Sequence, residues 1–295
     1  MPLNPDLMMT KRILIQLDCD PHPSVFDSVV AIDAGVDHLL QYANVQATNL
    51  MPLVHGAMFT RGGDQLRRTA IFVGGADVDA AENLMKACQD AFFGPIRVSL
   101  MLDANGCNTT ASAAVVAASR HADLAGARAV VLGGTGPVGR RVAQLLASDG
   151  ADVKLTSRSL DRASIACRDV QQKVTRGSVT PVGLGSEEAT RTVLADATLV
   201  FACGAAGFEL VSEEIICATE SLAVAIDLNA VPPVGIGGVG VTDKAKPLGS
   251  GVAYGAIGVG GLKMKTHRAA VAALFERNDQ VLNADEIYAI AKSIG

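Results

Sequence analysis

The stretch Ala129-Val130-Val131-Leu132-Gly133-Gly134-Thr135-Gly136-Pro137-Val138-Gly139 decides the reading of the fold. A short, uninterrupted aliphatic run is the pattern of a strand buried on both faces, and the glycines that follow open a helix. Gly134, Gly136 and Gly139 satisfy the spacing GxGxxG. Such a loop turns tightly, lets a pyrophosphate approach backbone amides, and packs helix against strand, while the helix N-terminus offers partial positive charge. Strand, loop and helix in that order predict a dinucleotide-binding unit, with Gly134, Thr135, Gly136, Pro137, Val138 and Gly139 at the phosphates.

Working outward, the next strand is predicted over 152–156, and its end distinguishes the nucleotides. NAD-binding chains place a carboxylate on the ribose hydroxyls about 20 residues after the glycines. Here the residues are Thr156-Ser157-Arg158-Ser159, with Arg162 one turn later. Hydroxyls and guanidiniums, which grip phosphate bidentately, fit the 2′-phosphate of NADP. Ser157, Arg158 and Arg162 are therefore the expected contacts, with NAD left open as a second cofactor. Strands over 199–202 and 223–226 are followed by Cys203-Gly204-Ala205 and by Asp227-Leu228-Asn229, where small residues leave room for the nicotinamide end. Cys203, Gly204, Ala205 and Asn229 complete the expected cofactor set.

Before this unit the chain reads as another α/β segment. Strands are predicted over 12–17, 69–73 and 97–102, alternating with helices, the signature of a parallel sheet. Ser24, with Asp27 three residues on, has capping-box spacing, and Val25, Val29, Ile32 and Val36 recur on one face of the helix that follows. Ligand sites of such sheets lie at the carboxyl ends of strands. Two segments there are polar: Asp18-Cys19-Asp20-Pro21-His22 and Asp103-Ala104-Asn105-Gly106-Cys107-Asn108-Thr109-Thr110. The first could pass for a metal site, but sequence-adjacent ligands rarely converge on one ion and no second Cys/His group has metal spacing, so no metal is expected. A short polar connection at 121–127 marks the start of the second unit. Helices over 262–277 and 285–293 are expected to return to the first, with Lys263 emerging from a glycine loop where the units meet.

Composition narrows the class. Net charge is −5 across 295 residues, without a basic excess to neutralise a phosphate backbone, so nucleic-acid binding is not expected. The 6 cysteines stand singly with no CxxC, as in reduced cytosolic proteins. No uncharged stretch reaches membrane-spanning length, and residues 1–12 lack the pattern of a secretory leader, so a soluble cytoplasmic protein is expected. Of 30 glycines, 21 lie at or after Gly133, and ten fall between Gly235 and Gly261, a density expected where backbone approaches something closely.

Seven blocks in order resemble the bacterial NADP-dependent methylene-tetrahydromethanopterin dehydrogenases. They are Pro23-Ser-Val-Phe-Asp27, Phe59-Thr-Arg-Gly-Gly63, Thr69-Ala-Ile-Phe-Val-Gly-Gly75, Met101-Leu-Asp-Ala-Asn-Gly-Cys-Asn-Thr-Thr110, Gly133-Gly-Thr-Gly-Pro-Val-Gly139, Asn229-Ala-Val-Pro-Pro-Val-Gly-Ile-Gly-Gly238 and Gly258-Val-Gly-Gly-Leu-Lys-Met-Lys265. The resemblance implies a two-domain α/β fold with an interdomain cleft: a pterin domain, residues 1–120 and 264–295, and an inserted Rossmann-type NADP domain, residues 121–263. It implies reversible hydride transfer from methylene-tetrahydromethanopterin to NADP⁺ in one-carbon metabolism. By that resemblance Lys263 lies at the active centre, Asp20 or Asp103 stabilises the methenyl cation, and Asn105, Asn108 and Thr109 contact the pterin. A homo-oligomer, trimer or hexamer, is implied too. Two alternatives stay open from the sequence: a methylene-tetrahydrofolate dehydrogenase, and a non-catalytic NADP-binding sensor.

Overall fold

The computed structural model describes residues 10–295, so the reading of the first nine residues lies outside the described part. Contacts divide the chain into two units, one running to Thr109 and resuming over Met264–Ile294, the other comprising Thr110–Lys263 and Gly295.

The first unit is a five-stranded, wholly parallel sheet. Its elements in chain order are β1 (Ile13–Asp18), α1 (Val25–Asp33), β2 (His38–Tyr42), α2 (Met51–Phe59), β3 (Thr69–Gly74), α3 (Val78–Asp90) and β4 (Ser99–Leu102). The helix α4 (Cys107–Ser119) then carries the chain into the second unit. All six residues of β3 are buried, as its continuous apolar run requires of a strand covered on both faces.

Around α1 one expectation changes. Ser24 does cap the helix, its hydroxyl accepting the Asp27 N–H at 3.2 Å. The Ser24 N–H itself donates to Asp18 Oδ2 at 3.2 Å. The buried side is different. Val25, Val29 and Ile32 are 76%, 55% and 54% exposed, whereas Val30, Ala31 and Val36 are buried. Apolar residues occupy more than half of the helical turn here, so periodicity gives the period but not the phase.

The second unit holds seven strands, where four were expected. It runs β5 (Arg128–Leu132), α5 (Pro137–Ser148), β6 (Asp152–Ser157), α6 (Leu160–Gln171), β7 (Ser178–Gly183), α7 (Glu187–Leu194), β8 (Leu199–Ala202), α8 (Glu213–Cys217), β9 (Val224–Asp227), β10 (Lys244–Leu248) and β11 (Gly251–Tyr254). In space the order is β10-β11-β9-β8-β5-β6-β7, parallel except for the β10–β11 pair. The two edge strands β7 and β10 contain Pro181 and Pro247. Proline cannot donate to a ladder and is tolerated at an edge, which hides such strands from a hydropathy reading and blunts edge-to-edge association. The chain ends with α9 (Ala256–Ala273), β12 (Val281–Leu282), which pairs with β4, and α10 (Ala284–Ile294). Val271, Leu274, Phe275, Leu282 and Ile287 pack on Leu14, Phe72 and Met101 to close the first core.

The glycines of 258–261 are not a loop; they form the first turns of α9. Gly258 serves the protein's own backbone, since a Cβ there would overlap the carbonyl oxygen of Asp243, whereas Gly260 and Gly261 face open space. Alanine is better than glycine in a helix by about 1 kcal/mol. Here packing outweighs propensity, so Gly258→Ala is expected to destabilise by about 1–3 kcal/mol. Thermal unfolding checks this; an unchanged or higher Tm would mean that α9 can retreat from Asp243.

Candidate functional site

The loop after β5 is built from backbone contacts that only glycine allows. Gly133 has φ of +63°, and a Cβ there would come within 2.5 Å of Gly204 Cα. Gly139 lies so close to Gly134 that a Cβ would be 2.6 Å from its Cα, which presses the start of α5 onto the turn. The Gly134 N–H donates to Thr156 O at 2.9 Å and that of Gly133 to Thr156 Oγ1 at 3.3 Å, tying the loop to the end of β6. Gly136 is different: nothing lies nearer to its would-be Cβ than Cys203 O at 4.0 Å, so the space over the helix start is open. Pro137 sits in the first turn, and Arg140 Nε holds the Thr135 carbonyl at 2.9 Å.

That open space belongs to a cleft of about 830 Å³ within the second unit, a size that suits a nucleotide-sized ligand. Of the residues expected at the cofactor, Thr135, Gly136, Pro137, Ser157, Arg158, Arg162, Cys203, Gly204 and Ala205 line it. Gly134, Val138, Gly139 and Asn229 are not among its lining residues; the two glycines shape the turn from behind. Arg158 and Arg162 are exposed at one end, and neither makes an ion pair among the described residues. The wall formed by Leu184, Glu187 and Thr190, and the segment from Phe208 to Ile215, were not foreseen. The first follows from missing β7, and the second carries no motif.

At the ends of β8 and β9 the acids and thiols are shaped by burial. Asp227 is 1% exposed and accepts the N–H groups of Asn229 at 2.9 Å and Ile236 at 2.8 Å. Desolvation pushes its carboxyl up, and those N–H groups partly offset the shift. Desolvation, aided by the Asp227 charge, also raises the Cys203 thiol far above its ordinary range. A thiol so shifted is protonated at neutral pH and is no nucleophile. Asn229 is 7% exposed, and its Nδ2 has no hydrogen-bond partner among the described residues.

In the first unit the polar segments sit at the carboxyl ends of β1 and β4. Asp20 is half-buried, and its Oδ2 accepts the Ala76 N–H at 2.9 Å. Asn105 is exposed with φ of +51°, its N–H bonded to Gly75 O at 2.8 Å. The other expected substrate contacts turn inward. Asp103 is fully buried, and its carboxylate accepts the Asn108 and Thr109 N–H groups at 2.9 and 3.0 Å and the Thr109 hydroxyl at 2.6 Å. Asn108, also buried, donates from Nδ2 to Leu102 O at 2.6 Å and Asn283 Oδ1 at 3.0 Å. These three side chains therefore cap α4 and bind the C-terminal segment to β4, using the hydrogen-bonding capacity expected for a ligand. Asp103→Asn, which converts one acceptor oxygen into a donor facing the Thr109 hydroxyl and the backbone, is expected to cost about 1–3 kcal/mol of stability. Chemical denaturation measures it. Unchanged stability would free Asp103 for another role. Lys263 is half-buried in the second turn of α9.

Among the described residues no three His, Cys, Asp or Glu side chains come together as a metal-binding group. No helix among them is long and apolar enough to cross a membrane.

Comparison with known proteins bears on both units. Among solved structures, the shikimate 5-dehydrogenase of Listeria monocytogenes aligns over 98% of each chain with a TM-score of 0.57 at 12% identity. The quinate dehydrogenase of Corynebacterium glutamicum aligns over 96% of this chain and 99% of its own, with a TM-score of 0.53 at 16% identity. At such identities the likeness concerns the fold, a two-domain α/β architecture. The sequence family described as "Methylene-tetrahydromethanopterin dehydrogenase, N-terminal" matches residues 25–105. The "Bifunctional protein MdtA" of Methylorubrum extorquens is 46% identical over 97% of this chain and 100% of its own length. The "NAD(P)-dependent methylenetetrahydromethanopterin dehydrogenase" of the same organism is 32% identical over 88% of this chain and 90% of its own. Kinship that runs end to end through both units, at these identities, places the chain in the methylene-tetrahydromethanopterin dehydrogenase family.

Proposed function

We propose that the protein is an NADP-dependent methylene-tetrahydromethanopterin dehydrogenase of one-carbon metabolism. The methylene carbon bridging two pterin nitrogens loses a hydride and becomes the methenyl cation. When bound, NADP⁺ supplies the acceptor, C4 of its nicotinamide. The observation that carries this reading is the end-to-end kinship with a dehydrogenase named for that substrate and for an NAD(P) cofactor.

The residues present fit a dinucleotide. The open cradle over Gly136 at the start of α5 suits a pyrophosphate, because α5 presents unpaired N–H groups and the positive end of its dipole. Arg158 and Arg162, neither held in an ion pair among the described residues, suit a 2′-phosphate and favour NADP over NAD. Cys203, Gly204 and Ala205 leave a side-chain-poor floor for the ribose and nicotinamide.

On the pterin side this reading assigns contact to Asn105 and Asp20, which stand at strand ends with surface to offer. Asp20 is the carboxylate assigned to stabilise the developing cation, since a fixed negative charge acts where positive charge appears. Asp103, Asn108 and Thr109 support the site from behind by fixing the start of α4. Lys263 orients the imidazolidine ring or adjusts its charge. Hydride leaves carbon with its electron pair, so no base or nucleophile is needed; the work is positioning and charge placement. The family resemblance adds a cytoplasmic homo-oligomer, trimer or hexamer.

The test is an absorbance assay of reduced nicotinamide with purified protein, offering methylene-tetrahydromethanopterin or methylene-tetrahydrofolate with NADP or NAD. Highest kcat/KM is expected for the methanopterin and NADP. Strong preference for the folate would move the protein to the folate enzymes, and cofactor binding without turnover would make it a sensor.

A further inference from the structure

The proposed mechanism leaves unused a buried histidine one helical turn beyond Lys263. His267, on α9, is 0% exposed. Its Nε2 lies 3.9 Å from Asp27 Oδ1 of α1, and its Nδ1 lies 3.9 Å from Asp103 Oδ2 at the end of β4. The ring stacks on Phe72 of β3, centroids 5.8 Å apart and planes 19° apart, with Phe26 tilted against it at 6.2 Å.

Each ring nitrogen faces a carboxylate at an ion-pair separation, longer than a hydrogen bond, and carboxylates accept and do not donate. A neutral imidazole carries a proton on one nitrogen alone and would present a lone pair to the other carboxylate; only the imidazolium presents N–H to both. Charge leads to the same state. A positive charge on the ring is attracted by both carboxylates and offsets their mutual repulsion. The neighbouring charges are engaged elsewhere. Asp18 accepts the Asp20 and Ser24 N–H groups, and Arg268, the next residue on α9, reaches Asp33 at 4.0 Å.

We propose that His267 is a buried imidazolium that positions Lys263. It ties α9 to α1 through Asp27 and to the α4 cap through Asp103, and thereby fixes the rotation and register of the helix that carries the lysine one turn away. His267 is a positioning residue, and this role rests on the assignment of Lys263 to the reaction centre. The sign of the pH dependence follows. Facing carboxylates favour the protonated ring in the folded state, so the stabilisation is full at low pH and is lost as pH rises through the ring's folded-state pKa. Activity should therefore fall on the alkaline side as α9 loosens.

Imidazole nitrogen NMR of the full-length protein, combined with pH–rate profiles, tests this. Wild type should show both His267 nitrogens protonated at neutral pH. His267→Gln should lower kcat about 10–100-fold, the cost of a small misplacement of a reacting group. It should leave KM for NADP unchanged and lack the alkaline fall. Asp27→Asn, which retains the histidine but removes one facing charge, should move that fall to lower pH, and it serves the test if the glutamine variant does not fold. A neutral His267 tautomer at neutral pH overturns the proposal, as does a glutamine variant with the wild-type kcat and pH profile. Absence of pterin turnover in the wild type would instead fall on the proposed function, because the NMR signature reads the charge on His267 without any substrate.

Discussion

Lys263→Ala is expected to lower kcat about 10²–10³-fold, the loss typical of removing one preorganised polar group from a reaction centre. The KM for NADP should hardly change. The separation follows from where the residue sits. Lys263 is in the second turn of α9, while the pyrophosphate cradle, the arginines and the small-residue floor belong to the loops after β5, β6 and β8. Losing an interaction made in the transition state alone lowers kcat and kcat/KM together, whereas losing uniform binding raises KM. Arginine at this position should rescue poorly, since a planar guanidinium does not replace a compact ammonium. Wild-type kcat in Lys263→Ala would remove the lysine from the mechanism and take with it the positioning role of His267.

The second large effect concerns cofactor choice. Arg158→Ala and Arg162→Ala should each raise KM for NADP about 10-fold, and the double variant about 100-fold, with NAD kinetics little changed. Charge-assisted hydrogen bonds contribute about 1.5–3 kcal/mol, and exposure of both guanidiniums places each at the lower end. Because only NADP carries the 2′-phosphate, the ratio of the two cofactors' kcat/KM isolates the contact from any damage to the loop. Equal losses with NAD and NADP would mean that the arginines support the turn after β6 and do not read the phosphate. Raising ionic strength should weaken NADP binding in the wild type more than in the double variant, since screening acts on the exposed pair.

Legibility differed by element, for identifiable reasons. Strands such as β3, β5 and β8 were readable because burial on both faces demands an unbroken aliphatic run. The edge strands β2, β7 and β10 were not, since a half-solvated strand carrying His38, Pro181 or Pro247 lacks that run. The wall of Leu184, Glu187 and Thr190 was lost with β7. The glycine stretch near Lys263 read as a loop because glycine usually punctuates, yet it is helical, and its first glycine, Gly258, lets α9 lie against the Asp243 backbone.

What the sequence determined by itself is the order of chemistry along the chain: an aliphatic strand, a phosphate-turn spacing, arginines where an acid would otherwise stand, and block motifs that identify a family. These are local patterns, written in adjacent residues and read one element at a time. Tertiary structure alone decided which polar residues face outward. Asp20 and Asp103 look alike in sequence, each at the end of a strand in a polar segment. Folding leaves one half-exposed and gives the other to α4, where backbone N–H groups a few residues on and a threonine hydroxyl claim its oxygens. It also brought His267 between Asp27 and Asp103, carboxylates 240 and 164 positions before it, because helix phase and sheet order are set by packing across the whole core.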